Sequence, residues 1–503
     1  MSSSLHLDKW KASHSKNILS QVPNQLYPLL KSPSPSPHEI FSMDFLREDW
    51  TSYPTYIIDP SGCQDADDGF SLWEDLSGIH LMVHIADPTA WFTPNASKDA
   101  VFQCILRNGT TFYLSEMEPK HMFGKTILDA SKLNADVPRR VISVHSILHP
   151  KTYSVISSNV EFGWIQTTPA QRITYQEASE QIVSNPVISL GVDIANVFRR
   201  QRTATSPESQ ALAELSLAFP YVSPANGKVI LSVDPPDVRA VKSMISEFAI
   251  HSNQVFAKEI EGGDAGETFR RAILTATSSV ETFNPSSITP SSTPPSTLPP
   301  KPPPTPQEVI ANIISAGKSA AYTTEKLPHE LVNTEAYTHA TSPLRRAPDC
   351  IVHFLIKCAR ISLPRPFTDF QLRTWCNDLT KQQKIAKNLG FADTKFRYFQ
   401  YIAQQLELVS PIPIPTSTST PTPLPVIKYK IISYRNGFVN IHIHNINDFQ
   451  VHITYSLRRK YTQFPEYLLP METPRTLPIT RINIPSKFDE GTLPDLDLIF
   501  PPV

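Results

Sequence analysis

The chain has 503 residues, with 46 Lys plus Arg against 47 Asp plus Glu, and a net charge of −1. That balance excludes a globally basic nucleic-acid coat, so any grip on a polyanion must come from local Arg and Lys. The 40% hydrophobic content allows a sizeable core, no apolar run is long enough to span a membrane, and the five cysteines form no C-x-x-C, which removes the common zinc and thiol-redox motifs.

Cysteines without such spacing point to a reducing compartment, so an intracellular, cytoplasmic location is expected. Lys9, Lys11 and Lys16 leave a mitochondrial presequence open, while Asp8 and the lack of Arg before Arg47 argue against it. The 48 prolines concentrate in Ser32–Pro37, Pro285–Pro306 and Pro411–Pro425. Such Pro/Ser/Thr tracts bury too little apolar surface to offset ordering, so they are expected to be linkers or disordered insertions. They divide the chain into a largely irregular lead (1–48), a main domain (49–408) with an insertion at 285–306, a linker (409–425) and a small β domain (426–503).

In chain order, a strand is expected at Thr55–Ile58, followed by the loop DPSGCQDADDG. Pro60, Gly62 and Gly69 punctuate that loop, which carries Asp59, Asp65, Asp67 and Asp68. Carboxylates this close repel one another, and a divalent cation relieves the conflict; an all-oxygen donor set favours Mg²⁺ or Mn²⁺ over zinc. An EF-hand is excluded, because counting from Asp65 the glycine comes at position five and position twelve is Leu76. A solvated acidic turn is the bland alternative.

His80–Asp87 reads as a strand buried on both faces, since Met82 and Ala86 nearly match Leu81, Val83 and Ile85. His84 within it is expected to be structural. Arg107–Glu116 offers Tyr113 in a strand-like context, and further strands are expected at Val141–Leu148 and Lys228–Val233. Val241, Met244, Ile245, Phe248, Val255, Phe256 and Ile260 repeat at helical spacing and mark a core helix. Tyr337–Pro343 is a polar turn, after which Pro348 and Asp349 suit the first turn of a helix. Arg345 and Arg346 therefore lie where a helix N-terminus and Arg forks bind phosphate, although spacing alone allows a surface ion pair equally. Residues 369–408 read as helix, and three alternating strands follow the last proline tract.

Two stretches, IIDPSGCQDADDGFS with LMVHIADP and YTHATSPLRRAPDCIVHFLIK, together resemble the RNase II/RNase R family in residue type, order and spacing. Ser243–Ile260 is similar to the family's Glu-Phe…Asn helix, and the likeness covers about residues 47–408. The resemblance implies an α/β RNB-type catalytic domain with a small, OB-like C-terminal β domain. It implies 3′→5′ hydrolysis of single-stranded RNA to nucleoside 5′-monophosphates, by two metals, with no membrane involved. By position, Asp59, Asp65, Asp67 and Asp68 would hold Mg²⁺ or Mn²⁺, with Asp67 and Asp68 catalytic. Arg345 and Arg346 would hold the scissile phosphate, and Tyr113 would stack on the terminal base. The chain departs from the family pattern at Ala347, where a Tyr is usual, and lacks the late Glu-Arg pair in Lys387–Tyr401. These departures keep open a second reading, a catalytically impaired RNA-binding protein.

Overall fold

The computed structural model describes residues 11–12, 14–16, 18–22, 38–114, 118–216, 221–225, 228–261, 269–275, 318–409, 425–435, 438–457, 475–478, 481–483 and 497–499. Residues 32–37, 285–306 and 411–424, the proline tracts, lie outside that set.

The strands are β1 (Glu48–Asp49), β2 (Ile57–Asp59), β3 (Asp68–Asp75), β4 (Gly78–Ala86), β5 (Arg139–Leu148), β6 (Val155–Ile165), β7 (Arg172–Thr174), β8 (Tyr221–Ala225), β9 (Lys228–Ser232), β10 (Arg270–Thr275) and β11 (Lys318–Thr323). The helices are α1 (Ala100–Asn108), α2 (Lys125–Ser131), α3 (Tyr175–Glu180), α4 (Pro186–Thr203), α5 (Pro207–Ser216), α6 (Pro236–Glu261), α7 (Ala347–Arg360) and α8 (Asp369–Val409).

Five strands form the central sheet in the order β1-β6-β5-β4-β3. All nine residues of β4 are buried, as its unbroken apolar run implies. Leu81, Val83 and Ile85 pack into the large core with Ile188 and Phe198 of α4, Met244 and Phe248 of α6, and Ile351 and Phe354 of α7. Met82 and Ala86 face the other way, against Trp50, Leu128, Leu133, Val141 and Ile165. His84 is indeed structural: its ring nitrogens meet Ser71 Oγ at 3.1 Å and Ser143 Oγ at 2.9 Å.

One buried ionic cluster joins the lead, β4 and α7. Lys357 Nζ donates to Asp87 Oδ1 at 2.7 Å and to the Phe41 carbonyl at 2.6 Å, and Arg47 donates to the other Asp87 oxygen. The side chains of Arg47, Asp87 and Lys357 are all 0% exposed.

Of the lead, expected to be largely irregular, the described residues between 11 and 21 are helical, and His14 stacks on Phe396 of α8 at 3.6 Å. After the last proline tract come β12 (Val426–Arg435), β13 (Phe438–Ile446), β14 (Phe449–Leu457) and β15 (Arg475–Pro478). They form an antiparallel sheet in the order β14-β13-β12-β15. Buried Ile427 and Tyr429 alternate with exposed Lys428 and Lys430, the period of a one-faced sheet. Among the described residues no helix is long and apolar enough to cross a membrane.

Candidate active site

The acidic loop is a hairpin-like return between β2 and β3. Tyr56 and Phe70 exchange backbone hydrogen bonds of 2.8 and 3.0 Å, so the end of β2 and the start of β3 lie side by side. Asp59 closes β2 and Asp68 opens β3, which puts both carboxylates at one edge. Gly62 takes φ +78°, a conformation that favours glycine, and Cys63 N–H closes the turn on the Pro60 carbonyl at 3.2 Å. A Cβ on Gly69 would lie 2.3 Å from Ile57 Cδ1 and 2.9 Å from the Tyr56 carbonyl, so glycine is what lets β2 approach β3. Ala86 N–H then donates to the Asp67 carbonyl at 2.8 Å, tying the loop to the end of β4.

The second stretch meets the first at Asp67. Leu344 N–H donates to Asp67 Oδ1 at 2.7 Å and Arg345 Nε to Oδ2 at 2.9 Å, across 278 residues of sequence. Arg345 Nη2 also donates to Ser342 Oγ at 3.0 Å. Asp349, fully buried in the first turn of α7, anchors the turn from below. It accepts from Ser342 N–H at 2.7 Å and from both Nε and Nη2 of Arg346, at 3.0 and 2.8 Å. Asn253 of α6 braces the same turn, accepting from Ala340 N–H at 2.9 Å and donating to Tyr337 Oη at 3.1 Å.

Tyr113 arrives by a different route from the one expected. The described part of that stretch, residues 107–114, is not a strand. α1 runs to Asn108, Gly109 turns the chain at φ +69°, and Thr110 and Phe112 make single bridges to Arg346 and Lys120. Residues 115–117 fall outside the described set. The backbone polar groups are spent on the arginine loop: Thr111 N–H donates to the Arg345 carbonyl at 2.9 Å and Ala347 N–H to the Gly109 carbonyl at 3.0 Å. Tyr113 Oη donates to Asp65 while its ring stays about half exposed.

Burial dominates the electrostatics. It raises the Asp59 carboxyl to about 6 and the Asp68 carboxyl to about 7, with Asp59 adding repulsion at Asp68. Burial also drives Asp67 well above the usual carboxylate range despite Arg345. At Asp65 burial pushes the same way, but the nearby His121 ring and the hydrogen bond from Tyr113 outweigh it and keep the group low. Asp59 Oδ2 is buried and has no hydrogen-bond partner among the described residues. Among the described residues no three His, Cys, Asp or Glu side chains are gathered into a finished cage. Arg345 and Tyr113 instead occupy part of the donor set. Nevertheless the chemistry suits a hard divalent cation: carboxylate oxygens, one of them orphaned, in a pocket where the charged forms are disfavoured without a counter-ion.

The structure thus gathers Asp59, Asp65, Asp67, Asp68, Tyr113 and Arg345 at one place. Arg346 stands beside them, but its fork is engaged by Asp349. Two neighbours escaped the sequence. His121 Nδ1 lies 3.5 Å from Asp65 Oδ2, in a stretch without a recognisable pattern. Tyr175 follows β7, whose Thr174 pairs with Asp59; burial and the charges of Asp68 and Asp59 push its phenol up. Asp349 had a visible signal, an acid in a helix's first turn, but its two arginine and backbone contacts did not.

Residues 47–360 match the model of the RNB domain. Ribonuclease R of Chlamydia trachomatis serovar D is 26% identical over 329 residues, 62% of this chain and 46% of that protein. The chain therefore spans about half the length of such curated relatives. A Mycoplasma genitalium RNase R structure in complex with ribose-methylated single-stranded RNA superposes with a TM-score of 0.69 at 14% identity, covering 97% of this chain and 78% of that one. Yeast Ssd1, described as a pseudonuclease, superposes with a TM-score of 0.61 at 14% identity, covering 85% of this chain and 54% of its own. The matched span holds both the acidic loop and the arginine turn, and the chain belongs to the RNB-domain family.

Proposed function

We propose that the chain is a 3′→5′ exoribonuclease that hydrolyses single-stranded RNA to nucleoside 5′-monophosphates. The observation that carries this reading is the meeting of Arg345 with the four-aspartate loop at Asp67. Asp59, Asp65, Asp67 and Asp68 would hold two divalent cations, Mg²⁺ or Mn²⁺. When bound, such a pair supplies water activation and charge neutralisation at the leaving oxygen.

The chain's own side chains do the rest. Arg345, 46% exposed, can turn its free guanidinium edge to the scissile phosphate and offset the charge that grows there. Its salt bridge to Asp67 fixes where that edge points. Arg346 is locked on Asp349 and serves this reading by shaping the turn, so that the phosphate contact falls mainly to Arg345. The half-exposed Tyr113 ring offers a stacking face to the terminal base, a grip that tolerates any sequence. The sheet β12–β15 we read as part of an OB-type domain that extends the RNA path.

A second reading has an observation of its own. Tyr113 and Arg345 already bond Asp65 and Asp67, and a protein in which they stay there would bind RNA without cleaving it. A time course with RNA labelled at either end, with Mg²⁺ or with EDTA, separates the two. Release of labelled mononucleotide at once from the 3′-labelled strand, abolished by EDTA, supports the exonuclease. Binding with no turnover supports the second reading.

A further inference from the structure

Beside the arginine turn lies a basic cluster that the proposed chemistry does not use. Arg270 and Arg271 are adjacent on β10 and meet opposite surroundings. Arg270 is ion-paired with Glu261. Among the described residues Arg271 meets no such acid: its guanidinium lies 4.8 Å over the Tyr322 ring, and its buried Nη1 reaches no hydrogen-bond partner there. A half-buried guanidinium without a counter-charge is unfavourable, and an anion that reaches it relieves that cost.

The neighbours share that character. His329, 6% exposed, has a buried Nδ1 that also lacks a hydrogen-bond partner among the described residues. Its ring stands edge-on to Tyr337 at 5.1 Å, and Tyr337 in turn faces His339 at 5.8 Å. His339 Nδ1 is held by Tyr322 Oη at 2.9 Å, which leaves its other nitrogen for a ligand. Burial and the charges of Arg346, Arg271, His329 and Arg345 keep His339 neutral, so it can donate one N–H without adding charge. The cluster is continuous with the proposed centre, because Arg271 N–H donates to the Tyr337 carbonyl at 2.9 Å and the turn from Tyr337 leads directly to Ser342 and Arg345.

We infer that Arg271, with His329 and His339 beside it, seats a second phosphate of the RNA backbone, one that is not cleaved in the same turnover. A guanidinium fork flanked by imidazole N–H groups suits a phosphodiester oxygen pair, and a chain gripped at two phosphates is held in register for cleavage at one. This seat rests on the exoribonuclease reading, which supplies the polyanion.

The test uses the full chain carrying Asp67→Asn, so that bound RNA stays intact. Single-stranded RNA 12-mers, each with one uncharged methylphosphonate linkage placed successively from the 3′ end, are titrated at several salt concentrations. With Arg271 present, affinity should fall at two linkages, that facing Arg345 and one other. Arg271→Gln should remove the second sensitivity, weaken binding roughly tenfold and reduce the salt slope by about 0.7. Arg271→Lys should keep the slope but lose affinity, because a point charge lacks the fork. The thermal midpoint of each variant reports folding. If Arg271→Gln does not fold, the methylphosphonate profile of the Arg271 chain decides alone: two sensitive linkages support the seat and one overturns it. An unchanged profile and slope in folded Arg271→Gln also overturns it, while RNA binding itself survives. Absence of any RNA binding with Arg271 intact overturns the parent reading, and the seat with it.

Discussion

Replacing Asp87 by Asn should destabilise the RNB domain more than most single changes. Asp87 is the fully buried acid of the cluster, facing Lys357 Nζ at 2.7 Å on one oxygen and Arg47 on the other, while the part-exposed Asp44 lies 3.3 Å from Arg47 Nε. The Asn side chain keeps the shape but removes the charge, leaving the 0% exposed Lys357 without an anion and the 0% exposed Arg47 with only the part-exposed Asp44. Breaking a buried pair from one side costs about 3–5 kcal/mol. At about 2 °C per kcal/mol for a large domain, the melting midpoint should fall by roughly 6–10 °C. Lys357→Met should cost less, since Asp87 keeps Arg47 and the Thr89 hydroxyl at 2.7 Å. The double variant should be milder than the sum by about 1 kcal/mol or more. The pH dependence has a definite sign. Burial alone would raise the Asp87 carboxyl, but Lys357 and Arg47 outweigh it and hold it well below its ordinary value. The cluster's contribution is therefore full above about pH 4 and is lost as pH falls through the folded value. Guanidinium melts of the four proteins check the cycle. A loss below about 1 kcal/mol for Asp87→Asn, or strict additivity, would refute the reasoning.

Gly69→Ala should cost about 1–3 kcal/mol and slow any turnover, because the new methyl meets Ile57 Cδ1 at 2.3 Å and the Tyr56 carbonyl at 2.9 Å and must move Asp68; an unchanged melting midpoint would contradict this packing. Burial lowers His84 to about 3, so below pH 6.5 the unfolded chain takes up a proton that the folded chain refuses, and stability drops as the pH is lowered. His84→Gln should flatten that dependence by about 1.4 kcal/mol per pH unit between pH 6 and 4, as read from urea midpoints across the range; an equal slope in both proteins would count against it. Tyr113→Phe should keep RNA affinity while Tyr113→Ala loses about 1–3 kcal/mol, measured by fluorescence anisotropy; equal affinities would show that the ring does not stack.

Much of the core was legible because it obeys simple periods. β4 reads as buried on both faces from Leu81–Ala86, and α6 from its apolar stripe. The site was legible where chemistry is dense: the carboxylates between Pro60 and Gly69, and an arginine pair ahead of Pro348. Long-range partners were not. Nothing local says that Arg346 turns to Asp349 while Arg345 turns to Asp67, because the choice is made by the turn from Ser342 and by the backbone pairing with Gly109–Thr111. The surroundings of Tyr113 misled for the same reason. Its alternating residues look like a strand, but the hydrogen bonds that would build one go to Arg345 and Ala347. Arg271 is visible in the sequence only as half of the Arg270/Arg271 pair, one of several local arginine pairs open to nucleic acid, and His329 carries no signal, since its interest lies in what it lacks.

The most direct test of the central claim is a paired measurement on Asp67→Asn and the unaltered chain, with 3′-labelled single-stranded RNA and Mg²⁺. Asp67 receives both Arg345 and the Leu344 N–H, so the isosteric Asn keeps much of the turn while removing one ligand charge. The account predicts that the unaltered chain releases 5′-mononucleotides, that EDTA stops it, and that Asp67→Asn binds RNA within a few-fold while hydrolysis is lost. Hydrolysis by Asp67→Asn within a few-fold of the unaltered chain, or activity indifferent to EDTA, would contradict it.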